Sequence, residues 1–268
     1  MELDFLKPGD FFDLSSFAYK ELFDGCALAW EPLGRISDYL AEKLEANVSE
    51  VGCFGRPLEK TVVLWKGRVL DGGFEILGGD VTKGKFRVKI CGEETSDAAV
   101  LFAGATLWDD RIFVGPGAVL EPGALVKGPT VIGAQTEVRQ GAYVRGKCVI
   151  GRQCIVGHTT EVKSSIMLDG AKAGHFAYIG DSILGGRTNL GAGTKLANLK
   201  IRGTTVRVMI RHQLVDTGLR KLGAILGDEV EIGCNAVTNP GTILGRQSLV
   251  YPVTSVRPFY YEPKSVVR

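Results

Sequence analysis

From Val114 to Leu168 an aliphatic residue returns at every sixth position: Val114, Leu120, Val126, Ile132, Val138, Val144, Ile150, Val156, Val162 and Leu168. Four places after each comes a mostly small residue: Ala118, Ala124, Thr130, Thr136, Ala142, Cys148, Cys154 and Thr160. Glycine often follows the aliphatic position, as at Gly115, Gly133, Gly151 and Gly157. A period of two would give a long strand and a period of 3.6 a helix. A period of six fits a short strand and a turn, repeated as the hexapeptide units of a parallel β-helix. One coil is too small to bury a face alone, so stability comes from stacking coil on coil. A glycine-rich β-sandwich is the competing arrangement, but its strands are punctuated at less regular spacing. The expected fold is all-β, with a small N-terminal α/β cap.

The formal net charge of +2 gives no reason to expect nucleic acid or a membrane surface as partner. Glycine is abundant, at 36 residues, as tight corners demand. The six cysteines show no CxxC pair, and no secretory leader is evident. Cys148 and Cys154 take the repeat's small slot and read as reduced core residues. A cytoplasmic location is the expectation.

Three segments follow: a cap region at 1–96, a β-helix at 97–252 interrupted at about 197–225, and a C-terminal arm at 253–268. In the cap, Ser16 is placed to start a short helix. Pro32 fits a first helical turn, and Leu33, Ile36, Leu40 and Leu44 form an apolar stripe behind it. This helical part is expected to pack on the end or flank of the solenoid. Residues 51–95 read as short strands and hairpins, with Phe86, Val88 and Ile90 alternating against charges. Phe102 and Trp108 continue the sixfold register backward. After Leu168 the register slips, with Ile179 and Leu184 early, before Leu190 and Leu196 resume it. The interruption holds Lys200, Arg202, Arg207, Arg211, Arg220 and Lys221, and reads either as a binding loop or as a packing arm.

With about 18 residues to a coil, three hexads define three faces. Arg139 and His175 then share a face, and Arg145 and Lys163 stack on the next. Arg139, Lys163, His175 and Tyr178 are expected to line one groove, with Asn189 ending the following coil. Arginine offers a fork for phosphate, lysine a mobile charge, and histidine a proton acceptor near neutral pH. Such a set suits an anionic substrate whose nucleophile needs activation. His158, beside Glu161, and His212, in the interruption, read as structural or exposed residues.

The pieces VRQGAYVRG, VGHTTEVKSS, DGAKAGHFAYIGDSILG and TNLGAGTKLANLK resemble the C-terminal acetyltransferase domain of the bacterial bifunctional enzyme that acetylates glucosamine-1-phosphate and then uridylates it. They also resemble the C-terminal domains of sugar-1-phosphate nucleotidyltransferases. The likeness is specific from Glu161 to Asn198. The first 95 residues resemble neither enzyme's nucleotidyltransferase domain. The resemblance implies a left-handed β-helix, a homotrimer with sites between subunits, and acetyl-CoA or another acyl thioester as co-substrate. It implies His175 as general base on a sugar amine, and Arg139, Lys163, Tyr178 and Asn189 as holders of a sugar phosphate or nucleotide-sugar. Asn198 and Cys234 would lie by the thioester, and no metal is implied. Leu199 and Pro252 depart from the family pattern beside that cofactor. A non-catalytic sugar-phosphate or nucleotide-sugar binding or scaffold protein is the alternative. A zinc-dependent hydratase of the γ-carbonic anhydrase type is a further one, since three histidines are the number it needs.

Overall fold

The computed structural model describes residues 4–268. From Ala99 onward the chain winds as a left-handed parallel β-solenoid with three flat faces. Glu137–Val138, Ile155–His158 and Lys172–His175 are rungs of the first face. Tyr143–Val144, Glu161–Lys163 and Tyr178–Gly180 belong to the second, and Cys148–Ile150, Ile166–Met167 and Ile183–Leu184 to the third. Each rung pairs in parallel with the rung one coil away, as in Val138↔Val156 and Val144↔Val162. Backbone N–H and C=O groups are thereby satisfied between coils, which allows rungs of two or three residues.

The aliphatic register fills the solenoid's interior. The inward places are taken by Leu120, Val126, Ile132, Val138, Val144, Ile150, Val156 and Val162, all fully buried. The small slot turns inward at the corners, where Thr136 and Cys154 are likewise buried. Their polar atoms bond to corner carbonyls: Thr136 Oγ1 donates to Gly151 O at 2.7 Å, and Cys154 Sγ to Leu168 O at 3.2 Å. Each inward aliphatic side chain contributes roughly 1.5–3 kcal/mol by leaving water.

Glycine is required where coils touch at a corner. A Cβ on Gly157 would fall 1.8 Å from the Gly174 carbonyl oxygen of the next coil. At Gly174 itself, no heavy atom stands within 4 Å of that position.

The register departs from the expected one in two places. Leu168 does not point inward; Met167 does, and Leu168 joins the cluster outside the third face. The coil is one residue short there, so the slip comes before Leu168 rather than after it. Upstream, Leu107 faces the interior and Trp108 is 49% exposed. Leu101 likewise takes the inward place assigned to Phe102, because an extra residue intervenes between Leu107 and Val114.

The third face is apolar on both sides. Val131, Val149, Ile166, Ile183, Ile225 and Ile243 point outward and are buried under the N-terminal segment and the interruption. The N-terminal segment supplies Phe11, Phe12, Trp30, Ile36 and Leu40. Its main helix is Pro32–Lys43, with the expected apolar stripe inward. Ser16 caps no helix: a 3-10 turn spans Lys20–Phe23, preceded by Tyr19, while Asp13 accepts the Ser15 N–H at 3.0 Å. The cap therefore lies on the flank. Asp228 fastens it, accepting Asp13 N–H at 2.7 Å and donating its own N–H to Phe11 O at 2.9 Å. Burial holds the Asp228 carboxyl above its ordinary value.

The hairpin part of the interruption is a packing arm. Arg207–Ile210 and Gln213–Asp216 form an antiparallel hairpin that lays Val206, Val208 and Ile210 on the third face. Val62–Trp65 and Arg68–Leu70 form another hairpin, joined antiparallel to Ala99–Leu101, that covers the first coil. Phe74–Gly78, Arg87–Ile90 and Glu93–Thr95 make a small separate sheet, which supplies the partner for the alternating strand around Val88. Residues 253–268 run on as solenoid where an arm was expected: Tyr260–Tyr261 pairs with the third face and Val266–Val267 with the first. No helix among the described residues is long and apolar enough to cross a membrane.

Gly157→Ala is expected to lower the unfolding free energy by roughly 2–3 kcal/mol, because the coils must part. Gly174→Ala should change it by less than about 1 kcal/mol. Urea denaturation of both variants checks the contrast. Burial pushes the Cys148 and Cys154 thiols up to about 12. In a disulfide-exchange titration at pH 8 these two should react only with unfolding, after exposed Cys91 and Cys234.

Candidate functional site

The polar residues of interest concentrate on the second face and its two edges. In Tyr178–Gly180, Ile179 is buried inside and Tyr178 and Gly180 face out. A Cβ on Gly180 would meet the Tyr178 hydroxyl at 2.6 Å, so the phenol ring lies across this glycine. That hydroxyl donates to Asn198 Oδ1 at 3.3 Å. The Asn198 amide donates in turn to Asp181 Oδ2, which also accepts from Lys163 Nζ at 2.8 Å. Lys163 stands opposite Gly180 in register. Asp181 is the corner residue after that rung, with φ of 46°, and the turn aims its carboxylate back at lysine.

Three of the seven expected site residues, Lys163, Tyr178 and Asn198, thus form one network with Asp181. Asp181 was not anticipated; its only mark in the sequence is an acid directly after Gly180, where a corner falls. The Lys163 and Asp181 side chains are 18% and 17% exposed, dry enough for the pair to matter. Burial raises the Tyr178 phenol above its ordinary value, and Lys163 partly offsets this.

His175 lies at the other edge of the second face, on the corner that joins it to the first. It is exposed, in register with His158, and Phe176 stands beside both rings. The His158–Phe176 ring centroids are 5.3 Å apart, edge to face, and those of His175 and Phe176 are 6.3 Å apart. His158 Nδ1 is 2.9 Å from Gln140 O, one coil below. Phe176 is 53% exposed with φ of 54°, an uncommon backbone for an aromatic residue. Exposed Cys234 continues this corner toward the C-terminal end, where its carbonyl accepts Val253 N–H at 2.9 Å.

Arg139 and Asn189 stay on the first face, away from the network. Arg139 falls level with Gly157 and Gly174 rather than His175, because of the short coil at Met167. Its guanidinium pairs with Glu137 at 2.8 Å. Asn189 donates to Glu231 at 2.9 Å. His212 is on the hairpin arm. Among the described residues no group of three or more His, Cys, Asp or Glu is placed to hold a metal ion.

Beside Asn198 the chain leaves the solenoid, and a groove of about 610 Å³ opens there. Leu199, Ile201, Pro240 and Pro258 give it apolar walls, and Lys200, Arg202 and Arg207 give it positive charge. Leu199 and Ile201 are exposed.

The segment carrying these features matches known proteins. Residues 126–255 match the family model described as the GMPPB C-terminal domain. A bifunctional sugar-1-phosphate nucleotidylyltransferase/acetyltransferase of Sulfurisphaera tokodaii is 38% identical over 97 residues, which is 36% of this chain and 24% of that protein. The bifunctional protein GlmU of Methanococcus maripaludis is 42% identical over 94 residues, 35% of this chain and 23% of its own length. GlmU of Pseudomonas entomophila is 29% identical over 149 residues, 52% of this chain and 29% of its own length. The matches thus span about a quarter of the relatives.

Asp181→Ala is expected to cost about 2 kcal/mol, since it strands the Lys163 ammonium and the Asn198 amide at once. Asp181→Asn should recover part of this. Thermal unfolding of the two variants measures the difference.

Proposed function

We propose that this chain, whose solenoid is a hexapeptide-repeat domain homologous to the acetyltransferase region of bifunctional GlmU proteins, transfers an acyl group to an amino sugar carrying a phosphate or a nucleotide. The observation that carries the reading is the Lys163–Asp181–Asn198–Tyr178 network within the matched segment. Lysine supplies charge for a phosphate, and the phenol and amide supply directed hydrogen bonds for hydroxyls. The Asp181 carboxylate keeps the ammonium fixed, so the site is organised before the sugar arrives.

The acyl donor in this reading is a thioester such as acetyl-CoA, and the groove beside Asn198 suits it. Its cations match the donor's phosphates, and Leu199 and Ile201 match the apolar arm. The thioester brings the activated carbonyl. His175 takes the proton that the attacking amine sheds, and exposed Cys234 lies farther along the same corner. Arg139 and Asn189 act from the first face, in a homotrimer whose subunits share sites. The working compartment is the cytoplasm.

One observation favours a second reading, a non-catalytic binder of sugar phosphates or nucleotide-sugars. His175 and Lys163 lie at opposite edges of the second face, with Tyr178 between them. Coenzyme A release from acetyl-CoA, followed with a thiol reagent over a panel of hexosamine phosphates and nucleotide-hexosamines, separates the two. Turnover is expected, and His175→Ala should reduce kcat about 100-fold or more with the fold intact by circular dichroism. Unchanged turnover in that variant removes His175 as the base. Binding of the sugars without any release of coenzyme A leaves the binder.

A further inference from the structure

Below the Lys163 network the second face carries a ladder of cations and rings. Trp108, Lys127, Arg145 and Lys163 each follow the inward residue of their rung, at Leu107, Val126, Val144 and Val162. The backbone confirms the alignment, with Trp108 N–H donating to Val126 O, Lys127 to Val144 O and Arg145 to Val162 O, each at 2.8 Å. Four side chains therefore stand in file at inter-strand spacing, over about 14 Å from first to last.

Lys127 is second in this file. Its ammonium lies 4.2 Å from the Trp108 ring centroid and 5.5 Å from that of Tyr143. No carboxylate pairs with it among the described residues, whereas Arg145 is held by Glu161 at 2.6 Å and Lys163 by Asp181. The Arg145 guanidinium is 5.8 Å from the Tyr143 ring. Trp108, half exposed, ends the ladder. The Lys127 ammonium lies over its indole ring, and the rest of the ring is open to a flat ligand.

We infer that this ladder is a nucleoside diphosphate site, and that the sugar acceptor is a nucleotide-sugar rather than a sugar monophosphate. The inference rests on the reading of the Lys163 network as the place of the sugar. The base stacks on Trp108, the diphosphate lies over Lys127 and Arg145, and the hexose reaches Tyr178 and Lys163. A monophosphate held at Lys163 would reach neither Lys127 nor Trp108. A diphosphate supplies the negative charge that Lys127 lacks, and every base has a face to stack. Base, ribose, two phosphates and hexose also follow one another in the order of the four rungs.

Calorimetric titration of the full chain tests this with UDP-N-acetylglucosamine and GDP-mannose as nucleotide-sugar probes, glucosamine-1-phosphate as monophosphate, and coenzyme A. Trp108→Ala and Lys127→Met should each weaken the tighter nucleotide-sugar about tenfold, with glucosamine-1-phosphate unchanged. Lys163→Met should weaken both classes. Nucleotide-sugar affinity within twofold of the parent in both Trp108→Ala and Lys127→Met, with the folds intact by thermal melt, overturns the site. So does binding of coenzyme A, and of neither nucleotide-sugar, in a manner sensitive to Trp108. Because binding is read apart from turnover, the two readings fail separately. Nucleotide-sugar binding that depends on the ladder, without acyl transfer, upholds the site and sinks the transferase. Acyl transfer to glucosamine-1-phosphate, with nucleotide-sugars indifferent to Trp108 and Lys127, does the reverse.

Discussion

The width of the solenoid's interior governs the molecule. Each face has room for one aliphatic side chain pointing in, and each corner for one small one. Val144 and Val162 meet in the middle because their backbones are tied rung to rung. A coil longer or shorter by a residue can be tolerated only at a corner, and it shifts everything outside by one place. Outward-facing chemistry is therefore set by inward-facing packing: Lys163 meets Asp181 one coil on, at the same corner, because Val162 and Ile179 fill the core in the same two rungs.

The interior was legible in the sequence because it repeats. Ten residues in one register identify the stack without help from any single contact. What the period could not place was the residue at which a coil shortens or lengthens. Met167 and Leu168 are equally apolar, and only the covered third face makes the leucine useful outside. The same uncertainty put Arg139 level with His175, whereas the short coil sets it level with Gly174. Trp108 looked like a core residue for a similar reason, its neighbour Leu107 being the one that packs inside.

The polar network was half legible. Lys163, Tyr178 and Asn198 could be singled out from their chemistry and from the family likeness. Asp181 could not, since a corner aspartate with a left-handed backbone reads as an ordinary turn residue. Nor could the hairpin's role be decided from its charges. Val206, Val208 and Ile210 alternate with Arg207 and Met209, and the structure turns the valines and isoleucine to the solenoid. Six cations in one segment draw attention from three buried aliphatic residues.

A solenoid of this kind begins with three sides of equal standing. Here the N-terminal segment and the hairpin lie across one of them and make its outer surface a second core. The small sheet covers the start of the first face as well, where Val81, Val88 and Ile90 bury Val100 and Val119, so anything that approaches the rungs from outside has the second face and the rest of the first to choose from. The sheath thus acts as a map: it narrows the search for contacts to the second face and the uncovered length of the first before any ligand is known.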